Sequence, residues 1–190
     1  DLSLYIDNRE NIILENSLFS KVSVKSNKIQ DKIQFPDLST SLKPLIVCTD
    51  SKDLSIISLA EKYNIPLLME CRSLRFTKKS KNIVSHYEFL IDYSKINPDL
   101  IFRFGHKPIS NTLNQFLDIN QDITYLVKED EIFNDDARHV ISCNANRLSK
   151  QFDKANLEFD ISWLKFIQDK EIKIKAYIDL VFEKPQEHEG

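Results

Sequence analysis

At 190 residues, 42% of them hydrophobic, the chain has the length and apolar content for one ordinary domain with a buried core, plus extensions. Acids and bases are interspersed and sum to −3, which argues against the basic footprint of a nucleic-acid-binding protein. No apolar run reaches the ~18 residues that a membrane span needs.

Three widely spaced cysteines, Cys48, Cys71 and Cys143, fit the reduced thiols of a cytoplasmic protein better than a disulfide framework. None has a Cys-x-x-Cys partner, so no zinc site is expected. The chain begins at Asp1, and its only methionine is Met69. A processed or excised piece of a larger protein fits this, with a secreted mature chain as the rival.

Residues 1–43 are rich in Asn, Ser, Lys and Asp and carry only short apolar patches, Ile12-Ile13-Leu14 and Val22-Ser23-Val24. They are expected to be an arm or linker. From Lys43 the pattern changes. Pro44 to Thr49 is a short continuous apolar run, as in a strand buried on both faces. Asp53 to Tyr63 has helical spacing, with Asp50, Ser51 or Asp53 as its cap. Ile65 to Met69 predicts a second strand, Glu70 to Lys81 a polar stretch, and His86 to Ile96 a second helix. Leu100 to Phe104 is the third strand and Ile109 to Ile119 the third helix. Ile123–Val127 and His139–Cys143 complete five strands, and Asn146 to Ala155 is helical. From Asp160 a long helical pattern, of one helix or two, runs toward the C-terminus. Strands and helices alternating at this spacing predict a Rossmann-like, mostly parallel sheet of about five to six strands flanked by helices. The expected division is an arm over 1–43, a central α/β domain over 44–158, and a helical segment over 159–190 that leads to a following domain.

Glycine is a filter. The chain has two, Gly105 and the terminal Gly190. A dinucleotide fingerprint needs three glycines and a P-loop two. The Gly-Asp-Gly start of a thiamine diphosphate motif needs two close together. All three are excluded. Gly105 therefore marks the one glycine turn, between the strand at Leu100–Phe104 and a helix that Pro108 and Ser110 suit as a start. Ile109, Leu113, Phe116 and Leu117 are its expected buried stripe. Ser110, Asn111 and Thr112 lie outside the stripe beside backbone N–H groups, which favour anions. Arg103, His106 and Lys107 add positive character, and Arg72 and Arg75 follow the second strand onto the same edge. The residues support either one wall of an anion site or an ordinary capped turn. His86, His106, His139 and His188 show no ligand spacing and read as cap, surface or core residues. Asp135-Asp136 and Lys128 to Glu131 read as solvated loop charges, with no metal site among them.

The segment Leu100-Ile101-Phe102-Arg103-Phe104-Gly105-x-x-Pro108-Ile109-Ser110-Asn111-x-Leu113-x-Gln115-Phe116-Leu117 resembles the middle domain of MenD-type enzymes. These are the 2-succinyl-5-enolpyruvyl-6-hydroxy-3-cyclohexene-1-carboxylate synthases of menaquinone and phylloquinone biosynthesis. Their pattern runs roughly Leu-Arg-Phe-Gly-x-x-Pro-Thr-Ser-Lys-x-Leu-x-x-Trp-Leu. Leu59-Ala60-Glu61 followed by Ile65-Pro66-Leu67-Leu68, the Ser73-Leu74-Arg75 turn and Ser162-Trp163-Leu164 agree in the same order. The likeness covers about 44–167, and only the first segment is specific.

The resemblance implies the central of three α/β domains in a thiamine diphosphate and Mg²⁺ enzyme that joins 2-oxoglutarate, with loss of carbon dioxide, to isochorismate. The catalytic and cofactor motifs would lie in flanking domains of the same chain. The 190 residues alone would then hold neither catalytic residues nor cofactor, and the whole enzyme would be a homo-oligomer. Ser110, Asn111 and Thr112 are the implied substrate-facing residues, with Asn111 standing where the family has Lys. Arg75, Arg103 and Lys107 are the candidate anion contacts. Two alternatives stay open: a nucleotide- or flavin-binding middle domain of another thiamine enzyme, and a stand-alone regulatory α/β domain.

Overall fold

The structure is a computed structural model that describes Ser41 and residues 43–74, 79–94, 96–129 and 137–183. All of these belong to one compact unit. The arm expected over 1–43 lies almost wholly outside the described residues, as does Arg75.

Six strands form one sheet: β1 (Pro44–Cys48), β2 (Leu67–Met69), β3 (Ile83–Val84), β4 (Leu100–Phe104), β5 (Thr124–Lys128) and β6 (His139–Ser142). Every pairing is parallel, in the order β3-β2-β1-β4-β5-β6. The fold is thus the expected Rossmann-like α/β arrangement. β1 and β4 sit at the centre, and all five residues of each are buried. That burial explains why β1 reads as a continuous apolar run, and β4 as one broken only by Arg103. The helices are α1 (Ser55–Lys62), α2 (Cys71–Leu74), α3 (Tyr87–Ser94), α4 (Asn111–Ile119), α5 (Ala145–Lys154) and α6 (Ile161–Glu183).

The pleat sends alternate residues to opposite faces. Ile46, Cys48, Phe102, Phe104 and Val127 face α1 and α5, where Phe152 is the centre of an aromatic cluster. Its ring lies 5.0 Å from Tyr63, 5.5 Å from Phe102 and 5.9 Å from Phe159. Leu45, Val47 and Ile101 face the other way, against α3, α4 and the first half of α6. There Trp163 donates its indole N–H to Pro44 O at 2.8 Å, so its ring packs on the core with its polar atom satisfied. Glu171 caps α3 from α6: its Oε1 accepts from Ser85 N at 3.0 Å and His86 N at 3.2 Å, and His86 Nδ1 lies 2.9 Å away. Among the described residues no helix is long and apolar enough to cross a membrane.

Two expectations change and one open alternative closes. The third helix starts two residues later than its apolar pattern, because Ser110 is its N-cap. Ile109 consequently lies outside the helix and is exposed, while Leu113, Phe116 and Leu117 are buried as expected. The polar stretch after β2 contains α2 and is followed by β3, an edge strand of two residues. β3 is located by Asn82, which is fully buried and donates to Ala60 O at 2.9 Å and Ile65 O at 3.0 Å. The pattern after Asp160 resolves into one helix.

Phe152→Ala removes the ring on which three others converge. It should lower unfolding free energy in urea by about 3–5 kcal/mol, whereas Phe182→Ala on exposed α6 surface should stay within about 0.5 kcal/mol. Equal losses would contradict the packing described.

Candidate functional site

Strand order reverses between β1 and β4, and ligands of open α/β sheets bind outside the carboxyl ends of the strands at such a point. Three chain segments meet there: Thr49-Asp50 after β1, Glu70 to Arg72 after β2, and Gly105 to Ser110 after β4.

Gly105 has φ +90, a conformation that side chains rarely adopt. A Cβ on it would lie 2.3 Å from Asp50 Oδ1 and 2.5 Å from Thr49 Oγ1. The turn expected here is therefore required twice over, by dihedral and by contact. It brings His106 onto the β1 loop. Asp50 Oδ1 accepts from His106 N at 3.0 Å, and Asp50 Oδ2 lies 2.7 Å from His106 Nδ1. Thr49 Oγ1 donates to His106 O at 2.8 Å. Burial pushes the Asp50 carboxyl up, but the hydrogen bonds from His106 and the charges of His106 and Arg72 outweigh it and leave it below its ordinary value.

Glu70 is almost fully buried. Its Oε1 accepts from Ile109 N at 2.8 Å and Ser110 N at 3.0 Å, at the start of α4. Its Oε2 lies 3.3 Å from Arg72 Nη2. Arg72 also reaches Asp50 Oδ2 at 3.5 Å and Lys107 O at 3.4 Å. The chain thus places its own carboxylate where a helix N-terminus attracts an anion. Tyr87 packs beside it. Burial, then the charges of Glu70 and Glu88, push its phenol up to about 12 against a hydrogen bond with Ser110. It is a neutral phenol at physiological pH.

The expected residues fall into two groups. Gly105, Ser110, Asn111 and Thr112 lie together at the turn and the first residues of α4. Ser110 Oγ accepts from Leu113 N at 3.2 Å, Asn111 is exposed and Thr112 half-buried. Lys107 is exposed at the same edge. Arg103 is buried within β4 and meets Lys107 in a second place, a small cleft of about 90 Å³ beside α4 that Asn114, Asp118 and Arg138 also line. Arg72, read only as one of two edge arginines, is the hub of the carboxylate network.

Sequence reasoning passed over Thr49, Asp50, Glu70 and Tyr87 as site builders and counted His106 only for its positive character. A signal existed for Thr49, Asp50 and Glu70, since each sits one or two residues past the end of β1 or β2. Tyr87 gave none, because only the tertiary fold brings α3 to α4.

Among the described residues no group of three or more His, Cys, Asp and Glu side chains could hold a metal ion. Two backbone donors at this helix end, Ile109 N and Ser110 N, are bonded to Glu70.

Because the folded-state carboxyl of Asp50 is depressed, its contribution is present above the ordinary value of 3.8 and is lost as pH falls through the folded value. The stability difference between wild type and Asp50→Asn, from urea midpoints, should therefore hold near about pH 5 and shrink toward about pH 3. A difference that stays flat or grows on acidification would contradict the clamp. A scan against protein-family models and a search of curated proteins give no match for this chain, so its residues and geometry carry the functional reading.

Proposed function

We propose that this unit is the central domain of a MenD-like, thiamine diphosphate-dependent synthase. The whole enzyme joins 2-oxoglutarate, with decarboxylation, to isochorismate. Residues Gly105 to Thr112 form one wall of its isochorismate pocket. The observation that carries this is a coincidence of pattern and place. The one segment with a specific likeness, Leu100 to Leu117, spans β4, the left-handed Gly105 turn and most of α4, at the reversal of strand order.

In this reading the wall acts through side chains. Glu70 already holds the amides of Ile109 and Ser110, so a substrate carboxylate meets Asn111 and Lys107 instead. Asn111 donates a hydrogen bond from its amide where the family pattern has a lysine charge. Thiamine diphosphate and Mg²⁺ belong to flanking domains of the same chain, and no step of the reaction passes through a cofactor held here. A cytoplasmic location and a homo-oligomeric whole enzyme go with the same proposal.

In the full-length enzyme, Asn111→Ala should raise KM for isochorismate by about ten- to a hundredfold, a hydrogen bond to a charged group contributing about 1.5–3 kcal/mol. KM for 2-oxoglutarate should stay unchanged. Steady-state kinetics with each substrate varied in turn checks this, and equal effects on both would contradict the assignment.

A further inference from the structure

Arg103 is the one charged residue in the two central strands, and it is 4% exposed. Burying a guanidinium is costly unless negative charge and hydrogen bonds compensate it. Arg103 lines the cleft of about 90 Å³ beside α4. Among the described residues, Lys107 lines it from the turn after β4, Asn114 and Asp118 from α4, Thr124 from the start of β5, and Arg138 from just before β6. Thr49, Asp50, Glu70, Arg72 and His106 do not line it, so it is a second place on the sheet.

Three cations, Arg103, Lys107 and Arg138, stand in this lining against one carboxylate, Asp118. Arg138 also pairs with Asp122, which is not part of the lining. Those side chains are 51% and 76% exposed, and such a pair holds weakly. Two neutral donors of the lining are already committed. Asn114 Nδ2 donates to Pro108 O at 2.8 Å and Ser110 O at 3.0 Å, and Thr124 Oγ1 donates to Asn120 O at 2.8 Å. The cleft therefore presents mainly cationic donors. Arg103 and Lys107 have partners within the chain as well. A guanidinium carries five N–H donors and an ammonium three, so one partner does not exhaust either. The space equals about three waters, which suits one tetrahedral oxyanion and falls short of a diphosphate.

We propose that this cleft binds one phosphate-sized oxyanion, held between the buried guanidinium of Arg103 and the cations Lys107 and Arg138. A planar guanidinium fork matches the oxygens of a phosphate, and its charge-assisted hydrogen bonds are strong and directional. The burial of Arg103 keeps solvent from screening that attraction. Three cations less Asp118 leave the lining a net charge of two, which a doubly charged anion balances. Only Lys107 is common to this cleft and to the wall proposed for isochorismate. Occupancy by an oxyanion holds whichever enzyme the domain serves.

The test is a ¹⁵N-resolved NMR titration of the 190-residue chain with inorganic phosphate at neutral pH, with ionic strength held constant by sodium chloride. It follows the Arg103 Nε–H and the Thr124 amide. Both should shift saturably at millimolar phosphate. Acetate, with one charge, should bind about fivefold or more weakly. Arg103→Gln should abolish the response. Arg138→Ala, at a half-exposed cation, should weaken it about three- to tenfold. Lys154→Ala, exposed on α5 and outside the cleft, should leave it unchanged. If Arg103→Gln fails to fold, the wild-type titration and the surface variant Arg138→Ala still decide. No saturable shift at constant ionic strength, acetate binding as tightly as phosphate, a folded Arg138→Ala that binds like wild type, or an equal loss in Lys154→Ala would overturn the proposal.

Discussion

The carboxylate of Glu70 at the start of α4 is the interaction on which the carboxyl edge depends. Burying a carboxylate costs several kcal/mol unless charge and hydrogen bonds compensate it. Here two backbone N–H groups and the Arg72 guanidinium do so. The arrangement fixes the first residues of α4 relative to β2, and through Arg72 it reaches Asp50 and the Lys107 carbonyl. One buried acid thereby holds the three loops that follow β1, β2 and β4. It also uses two of the backbone donors at that helix end.

The Gly105 turn is the second constraint, and it depends on the first loop. Thr49 and Asp50 pack where a Cβ would stand, and the chain leaves β4 at a positive φ that glycine adopts readily. That exit lays His106 over Asp50 and lets Pro108 lead into the Ser110 cap of α4. A single scarce residue type thus connects strand order, the His106–Asp50 pair and the placement of Asn111. The rest of the molecule is support. Two apolar faces bury the central strands, and the first half of α6 closes the second face through Trp163.

Much of this was legible in the chain. The apolar runs at Pro44–Thr49 and Leu100–Phe104 announced buried parallel strands because both faces of β1 and β4 are covered. The stripe at Leu113, Phe116 and Leu117 announced α4 because those residues meet the sheet on one side. β3 was illegible, since two residues carry no period and a buried Asn82 sets their position. Ile109 misled because an apolar residue at helical spacing can still precede the cap. The anion-friendly helix start was legible in kind. Its occupant was not, because Glu70 lies 40 residues from Ser110 in sequence and only the adjacency of β2, β1 and β4 unites them. Arg103 looked like an edge cation beside Gly105, yet strand pleat turns it to the cleft along α4.

The most direct test of this account asks whether the amides of Ile109 and Ser110 are taken. The measurement is a ¹⁵N-resolved NMR titration of the chain with inorganic pyrophosphate, in wild type and in Glu70→Ala. The account predicts that the Ile109 and Ser110 amides of the wild type stay still throughout, and that in Glu70→Ala they move saturably as the vacated helix end accepts the anion. Saturable movement of those two amides in the wild type would contradict it.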